Sequence, residues 1–276
     1  MLVNGQQCDT VSLLDRGLQY GDGLFETIAV ISGEMPLWKR HYTRLFNSCK
    51  KLSLELPNEQ QIKDEIEREI HHSGEQSGRS VVKLIVTRGT AGKGYFPAEG
   101  EGQRIVILRQ QAGFSRHERE HGIDIHLCET RLASGSPVAG MKHLNRLEQV
   151  LAARETEAHN CREAVVCDSE GFVVEGVMSN LFWITGSTLQ TPLLDRCGVL
   201  GVMREEVMEQ AAALGLPCNE VRVLPEELSG ANAIFLTNAV NGIIPVRRLA
   251  EREYNHEAIS HDLLEIINRK LMKHEA

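Results

Sequence analysis

Between residues 123 and 192 the sequence repeats one pattern: a short run rich in β-branched and apolar residues, then a tight turn. IDIHLCE, EAVVCD, FVVEG, NLFWIT and STLQTP follow one another in this way, and Ser169-Glu170-Gly171 reads as a hairpin turn between two of them. Runs of this length, bounded by turn residues, predict the strands of a sheet. A helix is expected over 201–214, a short one near 225–230, and a buried run at 233–240, AIFLTNAV. A last helix is expected over about 256–272, with Ile259, Leu263, Ile266 and Ile267 on its apolar side.

The first part of the chain mixes the two kinds of element. LFETIAVIS (24–32) reads as a strand. WKRHYTRLFNSCKKL (38–52) reads as a helix, with His41, Leu45, Cys49 and Leu52 at helical spacing. Ile62, Ile66 and Ile70 fall four apart, on one face of a helix over 58–70. VVKLIVT (81–87) and RIVILR (104–109) are further short β-rich runs, and the polar stretch QQAGFSRHEREHG (110–122) reads as a connection. The expected fold is mixed α/β (α+β) in two domains: a smaller one over 1–112, a linker over 113–122 and a larger one over 123–276. The cleft between domains is the default place for a site.

Length and composition fit this reading. The chain has 276 residues, 42% hydrophobic and 25% charged, as in an ordinary globular protein of two modest domains. A net charge of −8 argues against a nucleic-acid or anionic-membrane surface. An anionic ligand would therefore need a local basic site. No run of about 18 apolar residues predicts a transmembrane helix. The opening residues MLVNGQQCDT have neither a charged segment nor an apolar one of the signal-peptide kind. Seven cysteines without CxxC spacing predict free thiols, and with them a cytoplasmic location.

Two short segments carry candidate chemistry. In VAGMKHLNRLEQVL (138–151) an apolar helix is expected with Leu144, Leu147 and Leu151 on one face and Lys142 at its mouth. Such a lysine is either an ordinary surface residue or a partly desolvated amine, neutral and nucleophilic enough to bond to an aldehyde. HEREH (117–121) matches the H-E-x-x-H zinc pattern of some hydrolases. It has no apolar face behind its histidines, and Gly122 ends it at once, so a solvated turn is the better expectation.

KHLNRLEQVLA resembles the lysine segment of the fold-type IV pyridoxal-phosphate enzymes. These comprise branched-chain aminotransferases, D-amino-acid aminotransferases and 4-amino-4-deoxychorismate lyases. Similar segments run in order from residue 15 to residue 246. The resemblance implies an N-terminal α/β sandwich, a C-terminal β-barrel-like domain with flanking helices, pyridoxal 5′-phosphate as cofactor, and a homodimer. It implies that Lys142 bonds to the cofactor and then acts as general base. DRGLQYGDGLFETI (15–28) is similar to the family's early strand, so Phe25 and Thr27 should face the pocket. HYTRL (41–45) resembles its phosphate-binding motif, which gives Arg44 the phosphate.

VVEGVMSNLFWI (173–184) resembles the segment that holds the pyridine ring. Glu175 should keep the ring nitrogen protonated, with Asn180 orienting the site. GVLGVMREEV (198–207) is similar to the family's turn into a helix, where Val202 and Met203 offer backbone N–H groups to the phosphate. Asn238 and Ala239, in TNAVNGIIPV (237–246), should add a second phosphate contact. KLIVTRGTAGKGYFP (83–97) resembles the substrate loop, with Arg88, Lys93 and Tyr95 as candidates to attract a dicarboxylate. Arg88 could equally brace the loop.

The GKGY and KHLNRLEQV segments lean toward the lyase branch, which implies conversion of aminodeoxychorismate to 4-aminobenzoate and pyruvate in folate synthesis. An aminotransferase of D-amino acids or branched-chain amino acids is the alternative. The branched-chain branch typically carries tyrosine where this chain has Leu147. A zinc hydrolase built on HEREH is the remote alternative.

Overall fold

The computed structural model describes residues 1–56, 58–74, 79–100, 102–111 and 113–271. It divides into two compact units. Among the described residues, one comprises 1–111 and Met141–Asn145, the other Gly113–Gly140 and Arg146–Leu271. The expected boundary residue 112 lies outside the described residues.

The first unit is built on a five-stranded antiparallel sheet. Its order is Gln6–Gln7, Leu2–Val3, Gln103–Gln110, Arg79–Thr87, Gly23–Ile31. The register sets Leu24 opposite Val86, Ile28 opposite Val82, and Leu84 opposite Val106. Side chains alternate along a strand, so these buried residues share one face. The helices Trp38–Leu52 and Glu59–Ser73 pack on the strands, burying Trp38, His41, Leu45 and Cys49 from the first and Ile62, Ile66 and Ile70 from the second. Phe25, Thr27 and Lys83 lie on the opposite face, half-buried or exposed.

The second unit holds a nine-stranded mixed sheet. Eight strands run in the order Val173–Gly176, Ala164–Asp168, Ile123–Leu132, Gly242–Leu249, Ala233–Asn238, Asn180–Thr185, Thr188–Pro192, Cys218–Val221, and Arg252–Glu253 pairs with Gly242–Leu249. Ile123–Leu132 runs parallel to both its neighbours. Leu181, Trp183, Ile234, Leu236, Ile244 and Val246 form one core cluster. Phe182 and Phe235 stack on the other face with ring centroids 5.1 Å apart. Both faces are covered, which is why NLFWIT and AIFLTN read as unbroken apolar runs.

Three local expectations differ from the structure. The helix after Lys142 begins only at Leu147. It turns Leu147, Val150 and Leu151 outward and buries the smaller Ala152 and Thr156 against the strand Ile123–Leu132. Small residues let a helix approach a sheet closely, and that contact overrides the leucine spacing. The stretch 113–122 is not a free linker, because Arg116–His121 forms a helix within the second unit. Ser115 and Glu118 close a capping box at its start, and Arg119 donates to the carbonyls of Phe114 and Asn241. The last helix splits into a short turn His256–Ala258 and a helix His261–Leu271. Residue 272 lies outside the described residues. Gly242–Leu249 is an internal strand that accommodates Pro245 between its partners.

No helix among the described residues is long and apolar enough to cross a membrane.

Candidate active site

In the first unit the site is organised by the strand Gly23–Ile31. Alternation sends Phe25 and Thr27 to one face and Glu26 to the other, where it is 1% exposed. Arg44, one turn beyond His41 on the helix Trp38–Leu52, donates from Nε to Glu26 Oε1 at 2.8 Å and from Nη2 to Oε2. His41 Nδ1 lies 2.7 Å from the same Oε2. Burial alone would raise the Glu26 carboxyl, but Arg44 and His41 together hold it down to about 2. Burial pushes the His41 imidazole below its usual value, and His41 Nε2 is buried without a hydrogen-bond partner. The structure therefore places the guanidinium of Arg44, the expected phosphate ligand, with its fork seated on Glu26.

Lys142 stands on extended backbone, not on a helix. Phe25 N–H donates to the Lys142 carbonyl at 2.9 Å, and Leu144 N–H donates to the Gly23 carbonyl at 3.0 Å. Asn145 Nδ2 donates to the Gly21 carbonyl at 3.2 Å. Gly21 is at φ +65°, and a Cβ there would lie 2.4 Å from Asn145 Oδ1, so only glycine fits this turn. The half-buried Lys142 ammonium sits 4.5 Å from the centroid of the Phe25 ring, and that of Lys83 sits 5.1 Å from it. The face bearing Phe25 and Thr27 is thus cationic within an acidic protein.

Arg88 braces. Its guanidinium donates to both Asp22 oxygens at 2.8 and 3.1 Å, to the Leu52 carbonyl at 2.8 Å and to the Ser53 carbonyl at 2.9 Å. Arg16 joins Asp22 at 3.0 Å and holds the Gly94 carbonyl at 2.7 Å. Burial raises the Asp22 carboxyl, but the two arginines outweigh it and keep it below its ordinary value. Gly94 lies in the ribbon formed by Gly92–Lys93 and Phe96–Pro97. On this ribbon Lys93 is exposed and Tyr95 is 86% exposed, its ring edge-on to Tyr20.

In the second unit the site is a set of glycine turns gripped by polar side chains. Glu175 is 5% exposed, and its Oε2 accepts from Val199 N–H at 2.8 Å. Asn180 Nδ2 donates to the Val199 carbonyl at 2.9 Å. Both polar groups of one peptide residue are thereby held by the two residues expected to orient a pyridine ring. Gly198 is at φ +80°, and a Cβ there would meet Val174, Leu194 and Glu175. A Cβ on Gly201 would lie 1.9 Å from Asn180 Oδ1. The helix Val202–Ala213 begins at this glycine with no side-chain cap, with Val202 and Met203 buried in its first turn. Asn238 Oδ1 accepts from Val240 N–H at 3.0 Å and Asn241 N–H at 2.8 Å, which shapes the turn holding the half-buried Ala239.

Several residues that matter to this geometry escaped the sequence reading. Glu26, His41 and Lys83 stood inside quoted motifs, but only the three-dimensional pairing singles them out. Glu163 is fully buried and accepts from Val177 N–H at 2.8 Å and Met178 N–H at 3.3 Å, bracing the turn between Glu175 and Asn180. Burial lifts its carboxyl to about 7, against the pull of Ser179 and the backbone donors. Its one sequence signal is an acid set directly against the apolar run AVVCD.

HEREH does not gather a metal site. His117 and His121 stack at 4.3 Å, and among the described residues the cluster of potential metal ligands lies elsewhere.

The Amino-transferase class IV family matches residues 23–249. The chain is 33% identical over 254 residues to an aminodeoxychorismate lyase of Vibrio harveyi, covering 91% of this chain and 92% of that one. It superposes on the crystal structure of 4-amino-4-deoxychorismate lyase from Pseudomonas aeruginosa with a TM-score of 0.89 and 38% identity, covering 99% of each chain. A branched-chain aminotransferase from the archaeon Thermoproteus uzoniensis, solved with norvaline, shares the fold at a TM-score of 0.82 and 24% identity, covering 99% of this chain and 95% of that one. With a match that spans most of its length, the chain belongs to the class IV aminotransferase family.

Proposed function

We propose that this protein is a pyridoxal 5′-phosphate-dependent lyase that converts 4-amino-4-deoxychorismate to 4-aminobenzoate and pyruvate, acting in the cytoplasm as a homodimer in folate synthesis. The observation that carries the lyase reading is the 38% identity, over 99% of the chain, to a lyase of that name. The exposed Leu13, Leu14 and Leu18 support a partner subunit.

The residues present fit a phosphorylated pyridine aldehyde. Lys142 offers a half-buried amine against an aromatic ring. Glu175 offers a buried carboxylate fixed by a backbone N–H. The start of Val202–Ala213, which no side chain caps, offers N–H groups to a phosphate. Arg44, Asn238 and Ala239 would complete the phosphate contacts. The cofactor supplies an electron sink for charge that develops on the substrate carbon bearing nitrogen.

The protein's own groups do the rest. Lys142 Nζ would hold the cofactor aldehyde and would serve as the base for the proton on that carbon. Glu175 would keep the pyridine nitrogen protonated, and Asn180 with Glu175 fixes the Val199 peptide. Loss of the proton and departure of the enolpyruvyl oxygen leave an aromatic ring, so atoms balance between one substrate and two products without an oxidant. Lys83 makes the Phe25 face attractive to the substrate's carboxylates, with Thr27, Lys93 and Tyr95 as further contacts and Arg88 holding their loop.

Borohydride treatment of the holoenzyme followed by peptide mapping should label Lys142. Purified enzyme should then release 4-aminobenzoate and pyruvate in equal amounts from aminodeoxychorismate. Rapid glutamate formation from 2-oxoglutarate with D-alanine or L-leucine, and no 4-aminobenzoate, would replace the lyase by an aminotransferase.

A further inference from the structure

In the second unit, a strand and a helix bring four metal-ligand side chains together. His126 and Cys128 are two apart on the strand Ile123–Leu132 and so face the same way. Glu155, on the helix Leu147–Ala158, and His159, its C-terminal cap residue, are four apart and share a helix face. The Cys128 thiol contacts Thr156 and the Ala152 carbonyl of that helix, each at 3.9 Å, so the two elements meet here. We propose that His126, Glu155 and His159, with Cys128 beside them, form a binding site for a single divalent ion of the zinc class.

The distances carry the proposal. The ligand atoms of His126, Glu155 and His159 all lie within 4.8 Å of one another. His126 Nε2 is 3.6 Å from Glu155 Oε1 and 3.6 Å from Cys128 Sγ. Zinc bonds to nitrogen and oxygen at about 2.0–2.1 Å and to sulfur at about 2.3 Å, so tetrahedral edges are about 3.4 Å for N···O and about 3.5 Å for N···S. Both observed separations are within a few tenths of an ångström of those edges.

The surroundings suit a ligand set. Glu155 is fixed by Glu129 N–H at 2.6 Å and Thr130 N–H at 3.0 Å, the kind of outer support that orients a ligating carboxylate. His126 Nε2 faces both Glu155 and Cys128, so it is the ring nitrogen placed to reach an ion. The mixture of imidazole, carboxylate and thiol favours zinc or cobalt over calcium or magnesium.

One adjustment is required. The rings of His126 and His159 stack 4.5 Å apart with an interplanar angle of 18°, so their in-plane lone pairs run side by side. His126 is held in the strand, whereas His159 is exposed at the end of the helix and has room to turn. The bound ion would tie the helix that follows Lys142 to the strand beneath it, beside the tie that Glu148 makes to Ala133 N–H.

The test is zinc titration of chelator-treated, dialysed holoenzyme against a chromophoric competitor, with metal content read by mass spectrometry. One equivalent of zinc should bind and raise the melting temperature. The exposed His159→Ala should weaken it by more than the 10–100-fold that loss of an outer-shell partner costs, while lyase activity without zinc stays at the wild-type level. His126→Ala should abolish it, and His117→Ala/His121→Ala should leave it unchanged. Cobalt should give the visible difference bands of a four-coordinate site in wild type and not in His159→Ala. Absence of stoichiometric zinc, or its loss from the His117/His121 variant with retention in His159→Ala, overturns the proposal.

Discussion

The two units hold their functional groups by opposite means. In the first, carboxylates are gripped by side chains from other elements: the buried Glu26 by Arg44 and His41, the half-buried Asp22 by Arg16 and Arg88. In the second, Glu175 and Glu163 are gripped by backbone N–H groups of tight turns, and Gly198 and Gly201 let those turns close. The first arrangement depends on charge and fails when charge is removed. The second depends on backbone shape and fails when a Cβ is added. Evolution of substrate preference is therefore easier to picture on the loops around the first unit's ion pairs than inside the second unit's turns.

The largest expected effect belongs to a residue that stands apart from this contrast. Lys142 is positioned by its backbone, through the Phe25 and Gly23 bonds, so removing its side chain leaves the segment in place. Lys142→Ala should lower the rate of 4-aminobenzoate release by at least about 10⁴-fold, the upper range for a lost general base. Its melting temperature without cofactor should match that of wild type. An unfolded variant would show that the side chain, not the backbone, secures the segment.

Glu26→Gln breaks the charge-dependent arrangement. It keeps the shape but leaves the largely buried Arg44 without its anion, which should cost about 3–5 kcal/mol of stability. The wild-type pair has its own pH signature. The folded Glu26 value of about 2 lies below the ordinary 4.5. Its contribution is therefore fully present above about pH 4.5 and is lost as pH falls toward 2. Denaturant midpoints of wild type and variant should converge over that window.

Gly201→Ala breaks the shape-dependent arrangement without changing any charge. The added Cβ would overlap Asn180 Oδ1, and relieving the overlap should cost about 1–3 kcal/mol. If Asn180 is what yields, cofactor affinity should fall more than unfolding stability does. Equilibrium dialysis against pyridoxal phosphate, beside thermal melts, separates the two.

The same contrast explains what the sequence made legible. The glycine turns of the second unit were visible, because a glycine between apolar runs has few other uses, and GVLG and VVEG stand out as written. Elements with unbroken patterns were visible too: Trp38–Leu52 and Asn180–Thr185 occupy the spans their spacing predicts. The ion pairs were not, since nothing local marks Glu26 as the partner of Arg44 or Asp22 as that of Arg88. The helix after Lys142 misled for a related reason. Its leucines suggested an inward face, but the fit against the strand selects Ala152 and Thr156, a tertiary choice that spacing does not encode.

Glu163 gives the one substitution expected to cost no stability, and the sharpest test of the contrast, since it is a titratable group inside the shape-dependent unit. Its carboxyl is lifted to about 7 by burial, while the Val177 and Met178 amides favour the ionised form. Because the folded value lies above the ordinary 4.5, the folded state keeps a proton that the unfolded chain releases between pH 4.5 and 7. Its stabilisation is therefore greatest below pH 4.5 and declines as pH rises to about 7, by at most about 1.4 kcal/mol per unit. Glu163→Gln stays neutral throughout. Its stability should match wild type below pH 4.5 and exceed it progressively up to about pH 7, whereas Glu26→Gln is worse than wild type over the same range. Parallel curves for Glu163→Gln and wild type would mean that the backbone donors outweigh burial and keep Glu163 ionised. The turn between Glu175 and Asn180 would then be an anion nest held by charge after all, and the division between the two units would narrow to their partners alone.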